Sequence, residues 1–208
     1  MVIDNCTFNN NRANVSGGAV FNNGARNGDS SPTFTKCVFT FNYAETAGGA
    51  IYNDAISNGL SSPHFFECRF EENSVDTSGV IAYAGVMYCF GKSNGVSSPL
   101  IANCLFARNA SFAGGCVYAL GSDMGVANPT IINSTFVDNH ALQNGGAVYA
   151  NGSSGTCNMT ISNSIFWDNT AQSIFQGFSI RSSGSAVVDI DYSIVNSDNC
   201  NDIDYGNG

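Results

Sequence analysis

The fold is decided by a stretch that recurs along the chain, first seen as Asn5-Cys6-Thr7-Phe8-Asn9-Asn10-Asn11 and then Gly17-Gly18-Ala19-Val20-Phe21. Its centre is a phenylalanine with an asparagine three residues later. The phenylalanines stand at intervals of 31, 31, 36, 30 and 30 residues: Phe8, Phe39, Phe70, Phe106, Phe136 and Phe166. Their partners are Asn11, Asn42, Asn73, Asn109, Asn139 and Asn169. Repeats of this length indicate a solenoid of stacked units.

Other positions recur in the same register. A small residue stands two positions before each phenylalanine: Cys6, Cys37, Cys68, Cys104, Ser134 and Ser164. A glycine pair and an aliphatic–aromatic pair follow it in four units, and we assign the third copy to Gly79-Val80-Ile81-Ala82-Tyr83. The runs between these positions are short, β-branched and aromatic, and Gly, Pro, Asn and Ser bound them, which predicts two or three strands per unit and no helix.

The sequence therefore predicts an all-β fold, a right-handed single-stranded parallel β-helix of about six coils of 30–36 residues. Residues 1–208 are predicted to form one domain, with 184–208 as a last partial coil and acidic tail. The Cys/Ser and Phe columns are expected to face inward, as is a column of Phe34, Phe65, Ile101, Ile131 and Ile161. Asn5, Lys36, Glu67, Asn103, Asn133 and Asn163 are expected at a tight left-handed turn.

The composition of the chain excludes some classes of binding partner. The net charge is −9 and only seven residues are Lys or Arg, which argues against nucleic acid. No run of 18 apolar residues occurs, so we expect no membrane-spanning helix. Met1 falls in the repeat position of Pro32, without a cap or a signal peptide. We therefore expect a piece of a longer secreted or cell-surface protein, whose uncapped apolar end could self-associate head to tail.

The motifs carry a family resemblance. Asn5-Cys6-Thr7-Phe8 with Asn11, followed by Gly17-Gly18-Ala19-Val20, resembles the paired F-x-x-N and G-G-A-[I/V/L] repeats of polymorphic outer membrane proteins, which are autotransported adhesins. The segments Asn163-Ser164-Ile165-Phe166-Trp167-Asp168-Asn169 and Tyr192-Ser193-Ile194-Val195 resemble the last coils of bacterial β-helix surface proteins that carry an anchor. The resemblance implies a β-helix at the cell surface and names no activity.

The third unit is five residues longer than its neighbours, and we place the extra residues in a loop at 84–99. Loops on repeat scaffolds often carry binding, so Met87, Tyr88, Phe90 and Lys92 are candidate ligand-binding residues. The alternative is a loop that folds its apolar side chains onto the stack. The tail residues Asp198, Asp202 and Asp204 are a candidate Ca²⁺ site, and otherwise we expect no cofactor.

The four column cysteines are predicted to be buried free thiols, although neighbouring copies would stand near disulfide distance. Three function classes remain. The first is a non-enzymatic surface module, an adhesin passenger or stalk whose partner is a glycan or a host or cell-surface protein. The second is a carbohydrate-active β-helix, like the pectate lyases and polygalacturonases that share this fold. The acidic residues that come closest to a catalytic carboxylate grouping for such an enzyme are Glu67, Glu71, Glu72 and Asp76. The third is a head-to-tail assembling filament module.

Overall fold

Every paired strand in a computed structural model of the chain runs parallel to its neighbours, and strands from successive repeats lie side by side. The structure describes residues 1–78, 81–172 and 179–196 and the backbone of 203–204. Within these residues all regular structure is β-strand, in six coils and a partial seventh. The predicted all-β parallel β-helix is confirmed.

Each complete coil contains four strands. Coil 1 has β1 (Val2–Asp4), β2 (Thr7–Asn9), β3 (Arg12–Ala13) and β4 (Val20–Asn23). Coil 2 has β5 (Thr33–Thr35), β6 (Val38–Thr40), β7 (Tyr43–Ala44) and β8 (Ile51–Ile56). Coil 3 has β9 (His64–Phe66), β10 (Arg69–Glu71), β11 (Ser74–Val75) and β12 (Met87–Lys92). Coil 4 has β13 (Leu100–Ala102), β14 (Leu105–Ala107), β15 (Ala110–Ala113) and β16 (Val117–Ser122).

Coil 5 has β17 (Thr130–Ile132), β18 (Thr135–Val137), β19 (His140–Asn144) and β20 (Val148–Gly152). Coil 6 has β21 (Asn158–Ser162), β22 (Ile165–Trp167), β23 (Thr170–Ala171) and β24 (Ile180–Gly184). The partial coil has β25 (Val187–Asp191), β26 (Ile194–Val195) and β27 (Ile203–Asp204). The first to fourth strands of the complete coils stack into four sheets, which we call A, B, C and D in that order. The partial coil adds β25 to sheet A, β26 to sheet B and β27 to sheet D.

The prediction of two or three strands per coil was wrong, because each complete coil has four. The extra sheet is C, whose strands in several coils are only two residues long, such as Arg12–Ala13 and Tyr43–Ala44. Two residues are too few to show the alternation of apolar and polar side chains that marks a strand in a sequence. Pairing with the same residues of the next coil makes them a strand nonetheless.

The phenylalanine column forms the centre of the core. Phe39, Phe70, Phe106, Phe136 and Phe166 are fully buried, and successive rings from Phe8 onward stack with centroids 4.4–4.9 Å apart. The sheet A column is also inward, since Phe34, Phe65, Ile101, Ile131 and Ile161 are all buried. Both inward predictions are confirmed. Each fully buried side chain of this size contributes about 1.5–3 kcal/mol to the hydrophobic driving force.

The predicted left-handed turn between sheets A and B is confirmed in every coil. The column residues have φ of 51°, 52°, 54°, 56°, 48° and 49°: Asn5, Lys36, Glu67, Asn103, Asn133 and Asn163. Asparagine adopts this conformation more readily than other residues that carry a Cβ, which explains four of the six identities. Lys36 and Glu67 adopt it too, because the paired coils above and below hold the turn in place.

The asparagines of the F-x-x-N motif have a role that the sequence did not reveal. They are buried from coil 2 onward and form a continuous ladder. Asn42 donates from its backbone N and its Nδ2 to Oδ1 of Asn73, at 3.1 and 2.9 Å, and its Nδ2 also donates to the carbonyl of Phe8 at 3.0 Å. The pattern repeats through Asn169, so each side chain satisfies main-chain groups of the preceding coil.

The extra five residues of coil 3 lie earlier than predicted. Val75 pairs with Ala44 and Tyr83 with Ala47, so eight positions in coil 3 correspond to three in coil 2. The insertion therefore falls between sheets C and D, and the assignment of 79–83 as the third glycine copy was wrong. The true copy is Ala84-Gly85-Val86-Met87-Tyr88, because Met87 pairs with Ile51 and Tyr88 with Tyr52. Ala84 has φ 60°, close to the 62° of Gly48 in the preceding coil.

The column cysteines behave as small core residues. Cys37, Cys68 and Cys104 are buried, Cys6 is exposed at the first coil, and all seven cysteines in the described part of the chain are free thiols. Cys104 Sγ accepts the backbone N–H of Cys68 at 3.4 Å. A hydrogen bond between the two thiols raises the pKa of Cys104, reinforced by its burial, and lowers the pKa of Cys68. In coils 5 and 6 a serine hydroxyl takes the sulfur's place as acceptor.

Candidate functional site

The outer face of sheet D differs from the rest of the surface because it carries an aromatic column. In β8 the inward residues are Ile51, Asn53 and Ala55, so the residues between them point outward. One outward position is aromatic in five successive coils, and we call this column the aromatic ladder: Phe21, Tyr52, Tyr88, Tyr118 and Tyr149.

The rings of the aromatic ladder lie against one another. Phe21, Tyr52, Tyr88 and Tyr118 stack with centroids 5.0, 5.2 and 5.3 Å apart, and Tyr149 meets Tyr118 edge-on at 4.8 Å. Because the stacked rings use their faces on each other, the middle of the ladder offers no free ring face to a ligand. Tyr88 and Tyr118 are only 6% and 3% exposed, and Phe21 at the first coil is 48% exposed.

Further aromatic side chains cover the middle of the ladder and form a second, smaller core outside sheet D. Tyr83, which follows the coil 3 insertion, lies 4.5 Å from Tyr118 and 6.0 Å from Tyr88, centroid to centroid. Asn151 donates to the Tyr118 hydroxyl at 2.9 Å. Burial raises the pKa of Tyr52, Tyr88 and Tyr118 above the usual tyrosine value, so these hydroxyls are neutral at physiological pH. The ladder is therefore mainly a structural element.

Beside the ladder, in coils 1 and 2, lies a depression of about 530 Å³, which we call the Asp54 depression. Strands β4 and β8 and the turns that follow them supply its lining: Asn23, Ala25, Arg26, Asp54, Ile56 and Ser57. The turns keep their shape because Arg26 and Ser57 have φ of 59° and 57°, and Arg26 N–H donates to the carbonyl of Ile56 at 2.8 Å. The lining thus combines one carboxylate and one guanidinium with an amide, a hydroxyl and two aliphatic side chains.

Asp54 is the unusual residue of this depression. Its Oδ1 is buried and has no hydrogen-bond partner within the described part of the chain. Burial raises the pKa of the Asp54 carboxyl above its ordinary value, because the charged form loses hydration. A buried polar atom without a partner costs free energy, so its presence in a native structure calls for an explanation. Outward neighbours in the same column are Asn23 in coil 1 and Phe90 in coil 3.

The four predicted ligand-binding residues do not lie on a loop. They belong to β12 in the middle of sheet D, and this part of the prediction was wrong because the insertion falls before the strand. Met87 points into the core and is 0% exposed, and Tyr88 belongs to the aromatic ladder. Phe90 is partly exposed next to Asp54, and Lys92 Nζ lies 3.4 Å from Asp123 Oδ2. A role of Phe90 and Lys92 in binding stays a prediction.

The coil 3 carboxylates on sheet B are held by arginines. Glu71 contacts both Arg69 and Arg108, and Glu72 Oε1 lies 3.4 Å from Arg108 Nε. Both arginines are more than half exposed. Pairs of this kind contribute little to stability. Glu71 and Glu72 are therefore part of a solvated ion-pair network.

The described ranges contain neither a cluster of metal-ligating side chains nor a candidate membrane-spanning helix. No three His, Cys, Asp or Glu side chains there come close enough together to hold a metal ion. The predicted Ca²⁺ site at Asp198, Asp202 and Asp204 lies outside the described residues, apart from the backbone of Asp204. Over those same ranges, no helix has the length and apolar character that crossing a membrane requires.

The stacked parallel strands, the inward columns and the left-handed turns define the chain as a parallel β-helix repeat protein. Two segments, 5–23 and 133–151, match the model of the Chlamydia polymorphic membrane protein repeat. They are the equivalent parts of coils 1 and 5, each running from the left-handed turn to sheet D. The match confirms the predicted resemblance to these repeats, and it supports a cell-surface location in coarse terms. No curated protein and no solved structure matches the chain.

Proposed function

We propose that this chain is a non-enzymatic β-helix module of a cell-surface protein, which binds a glycan or a surface protein through the outer face of sheet D. The single observation that carries the proposal is the match of coils 1 and 5 to a surface-protein repeat. A stacked β-helix of this kind is a rigid rod that presents its outer side chains at fixed spacing.

The distribution of recurring and varied residues supports a display role. The recurring Phe and Asn side chains are buried and serve to build the coil. Exposed outward side chains are freer to vary, because a change there leaves the buried columns intact. Function on such a scaffold is expected where outward side chains depart from simple polar ones, as they do on sheet D in the aromatic ladder and the Asp54 depression.

The isolation of Asp54 supports binding over cleavage. Glycoside hydrolysis by the common mechanisms needs two carboxylates that flank the scissile bond. Among the residues that the structure describes, Asp54 is the only acidic one that lines the depression. The Glu71–Glu72 grouping lies on a different sheet and is neutralised by Arg69 and Arg108.

The test is adhesion of beads coated with the folded chain to cultured cells and to immobilised extracellular glycoproteins. Beads coated with heat-unfolded chain are the control. We expect saturable adhesion that soluble folded chain competes away. Adhesion no greater than that of the unfolded control would contradict the proposal. Release of oligosaccharide from plant or microbial polysaccharides on incubation with the chain would favour the carbohydrate-active class instead.

A further inference from the structure

We propose that the Asp54 depression is a saccharide-binding subsite that takes a neutral sugar residue, with the Asp54 carboxylate accepting a hydrogen bond from a sugar hydroxyl. The inference deepens the proposed function, because it names the ligand class for one place on sheet D. It starts from the buried carboxylate oxygen that no group of the described chain satisfies.

The missing partner of Asp54 must be a hydrogen-bond donor. An ionised carboxylate is an acceptor only, and two oxygens offer room for a pair of adjacent donors. Two vicinal hydroxyls of a sugar ring supply such a pair. Hydrogen bonds to a charged acceptor are stronger than neutral ones, and most of all where water is partly excluded. The partial burial of the Asp54 carboxylate is therefore a cost in the free chain that hydrogen bonds from a bound sugar would offset.

The remaining lining fits the rest of a sugar ring. The Arg26 guanidinium and the Ser57 hydroxyl can donate to ring or hydroxyl oxygens, and Asn23 lies on the opposite strand. Ala25 and Ile56 form an aliphatic part that suits the C–H face of a pyranose. Asn23 Oδ1 is already used by the backbone N–H of Ala25 at 3.0 Å, which leaves its amide group as a donor. A depression of about 530 Å³ lies in the size range of small-molecule sites.

The charges of the lining exclude the main competing ligand classes. A free ammonium group would pair with Asp54 but would meet the like charge of Arg26 in the same depression. An anionic sugar would pair with Arg26 but would be repelled by Asp54. A metal ion such as Ca²⁺ takes six to eight oxygen ligands, and one carboxylate with an amide and a hydroxyl is far from that number. A neutral polyhydroxylated ligand uses both charges at once.

The experiment measures binding of the folded chain to neutral oligosaccharides of glucose, galactose, mannose and N-acetylglucosamine by saturation-transfer NMR and calorimetry. An oligogalacturonate and spermidine are the acidic and cationic probes. Asp54→Asn is the test variant, and Asn23, next to it in coil 1, shows that the column accommodates asparagine. Asp189→Asn, an exposed position on sheet A, is the matched control with the same change in charge.

We expect at least one neutral oligosaccharide to bind, and Asp54→Asn to weaken it about tenfold or more, as loss of a charged hydrogen bond implies. Asp189→Asn should bind like the unchanged chain, and Arg26→Gln should weaken binding less than Asp54→Asn does. Binding only of the oligogalacturonate or only of spermidine would overturn the proposal, as would equal affinity of Asp54→Asn. If beads adhere to cells while no neutral sugar binds, the proposed function stands and the saccharide subsite fails.

Discussion

Asn109 Nδ2 donates to Oδ1 of Asn139 at 3.0 Å, one coil further along, and also to the carbonyl of Phe70 at 2.9 Å, one coil back. One buried side chain therefore bridges three coils. It also accepts from the backbone N and Nδ2 of Asn73 through its own Oδ1, at 2.9 and 3.0 Å. Because all these groups are buried, the ladder is an all-or-none polar network, which is costly when it is left partly satisfied.

Replacing Asn109 by alanine should destabilise the chain by roughly 3 kcal/mol or more, because it leaves several buried polar groups without partners. The matched control is Asn11→Ala at the exposed first coil, where the backbone N–H of Asn11 still reaches Asn42 Oδ1, at 3.1 Å. That change should cost less than about 1 kcal/mol. Urea unfolding followed by circular dichroism measures both, and equal losses would contradict the ladder's role.

A methyl group at Gly85 should disrupt the stack. A Cβ there would lie 2.4 Å from the carbonyl oxygen of Gly115 and 2.6 Å from that of Ala110, both backbone atoms that cannot move aside. We expect Gly85→Ala to cost several kcal/mol, more than about 3, as overpacking with a backbone shift does. In the neighbouring Ala84→Gly, relief of the left-handed φ opposes the lost methyl burial, so the change should stay within about 1 kcal/mol. Comparable effects of the two variants in thermal unfolding would refute this account of the turn.

Alkaline pH should destabilise the chain through its buried thiols. Burial raises the pKa of Cys89 and Cys157 from 9.0 to about 12. The folded state therefore holds these protons more tightly than the unfolded state. This stabilisation is complete below about pH 9 and falls by about 1.4 kcal/mol per pH unit for each thiol as pH rises toward 12.

The variants Cys89→Ala and Cys157→Ala isolate this effect, because Ala119 pairs with Cys89 in the next coil and Ala127 precedes Cys157 by one repeat. Each variant should show a shallower loss of unfolding free energy between neutral pH and about pH 10 than the unchanged chain. Superimposable pH profiles for the variants and the unchanged chain would show that the thiols do not contribute.

Asp54 should lower stability at neutral pH, in exchange for a binding group. Its carboxyl pKa is raised in the folded chain, so the chain gains stability as pH falls through that value and loses it as pH rises. Asp54→Asn should therefore have a higher midpoint of thermal unfolding at neutral pH and a similar one in acid. A lower midpoint at neutral pH would mean that the carboxylate makes a stabilising contact, and it would remove the reason to expect a ligand there.

The features that could be predicted from the sequence are those that recur in every coil. Each Phe, Cys/Ser and left-handed turn position has several copies in register, and like residues stack on like, so their inward or turn positions followed from spacing alone. The third glycine copy was misplaced because Ala84 stands where other coils have Gly, and Val86 where they have Ala or Cys, which hid the motif behind the insertion.

The candidate site was not predictable, because it depends on residues that occur once. Nothing in the neighbourhood of Asp54 in the sequence marks it. The register of β8 sets the outward direction of its side chain. The lack of a hydrogen-bond partner for Oδ1 depends on how the surrounding turns fold, which the sequence does not show. Met87 and Tyr88 were predicted to bind a ligand because they are apolar residues in an expected loop. The register of β12 instead places Met87 in the core and Tyr88 in the aromatic ladder.

The most direct test of the account blocks the outer face of sheet D and leaves the fold intact. In a chain that carries Cys6→Ser and Cys200→Ser, the substitution Ser57→Cys, in the turn that lines the depression, provides the thiol to which a bulky polyethylene glycol is coupled. The same polymer at Asp189→Cys, on the outer face of sheet A, is the control. The account predicts that bead adhesion is lost with the polymer at position 57 and kept with it at position 189. Adhesion that survives the polymer at position 57, or is lost equally at both positions, would contradict it.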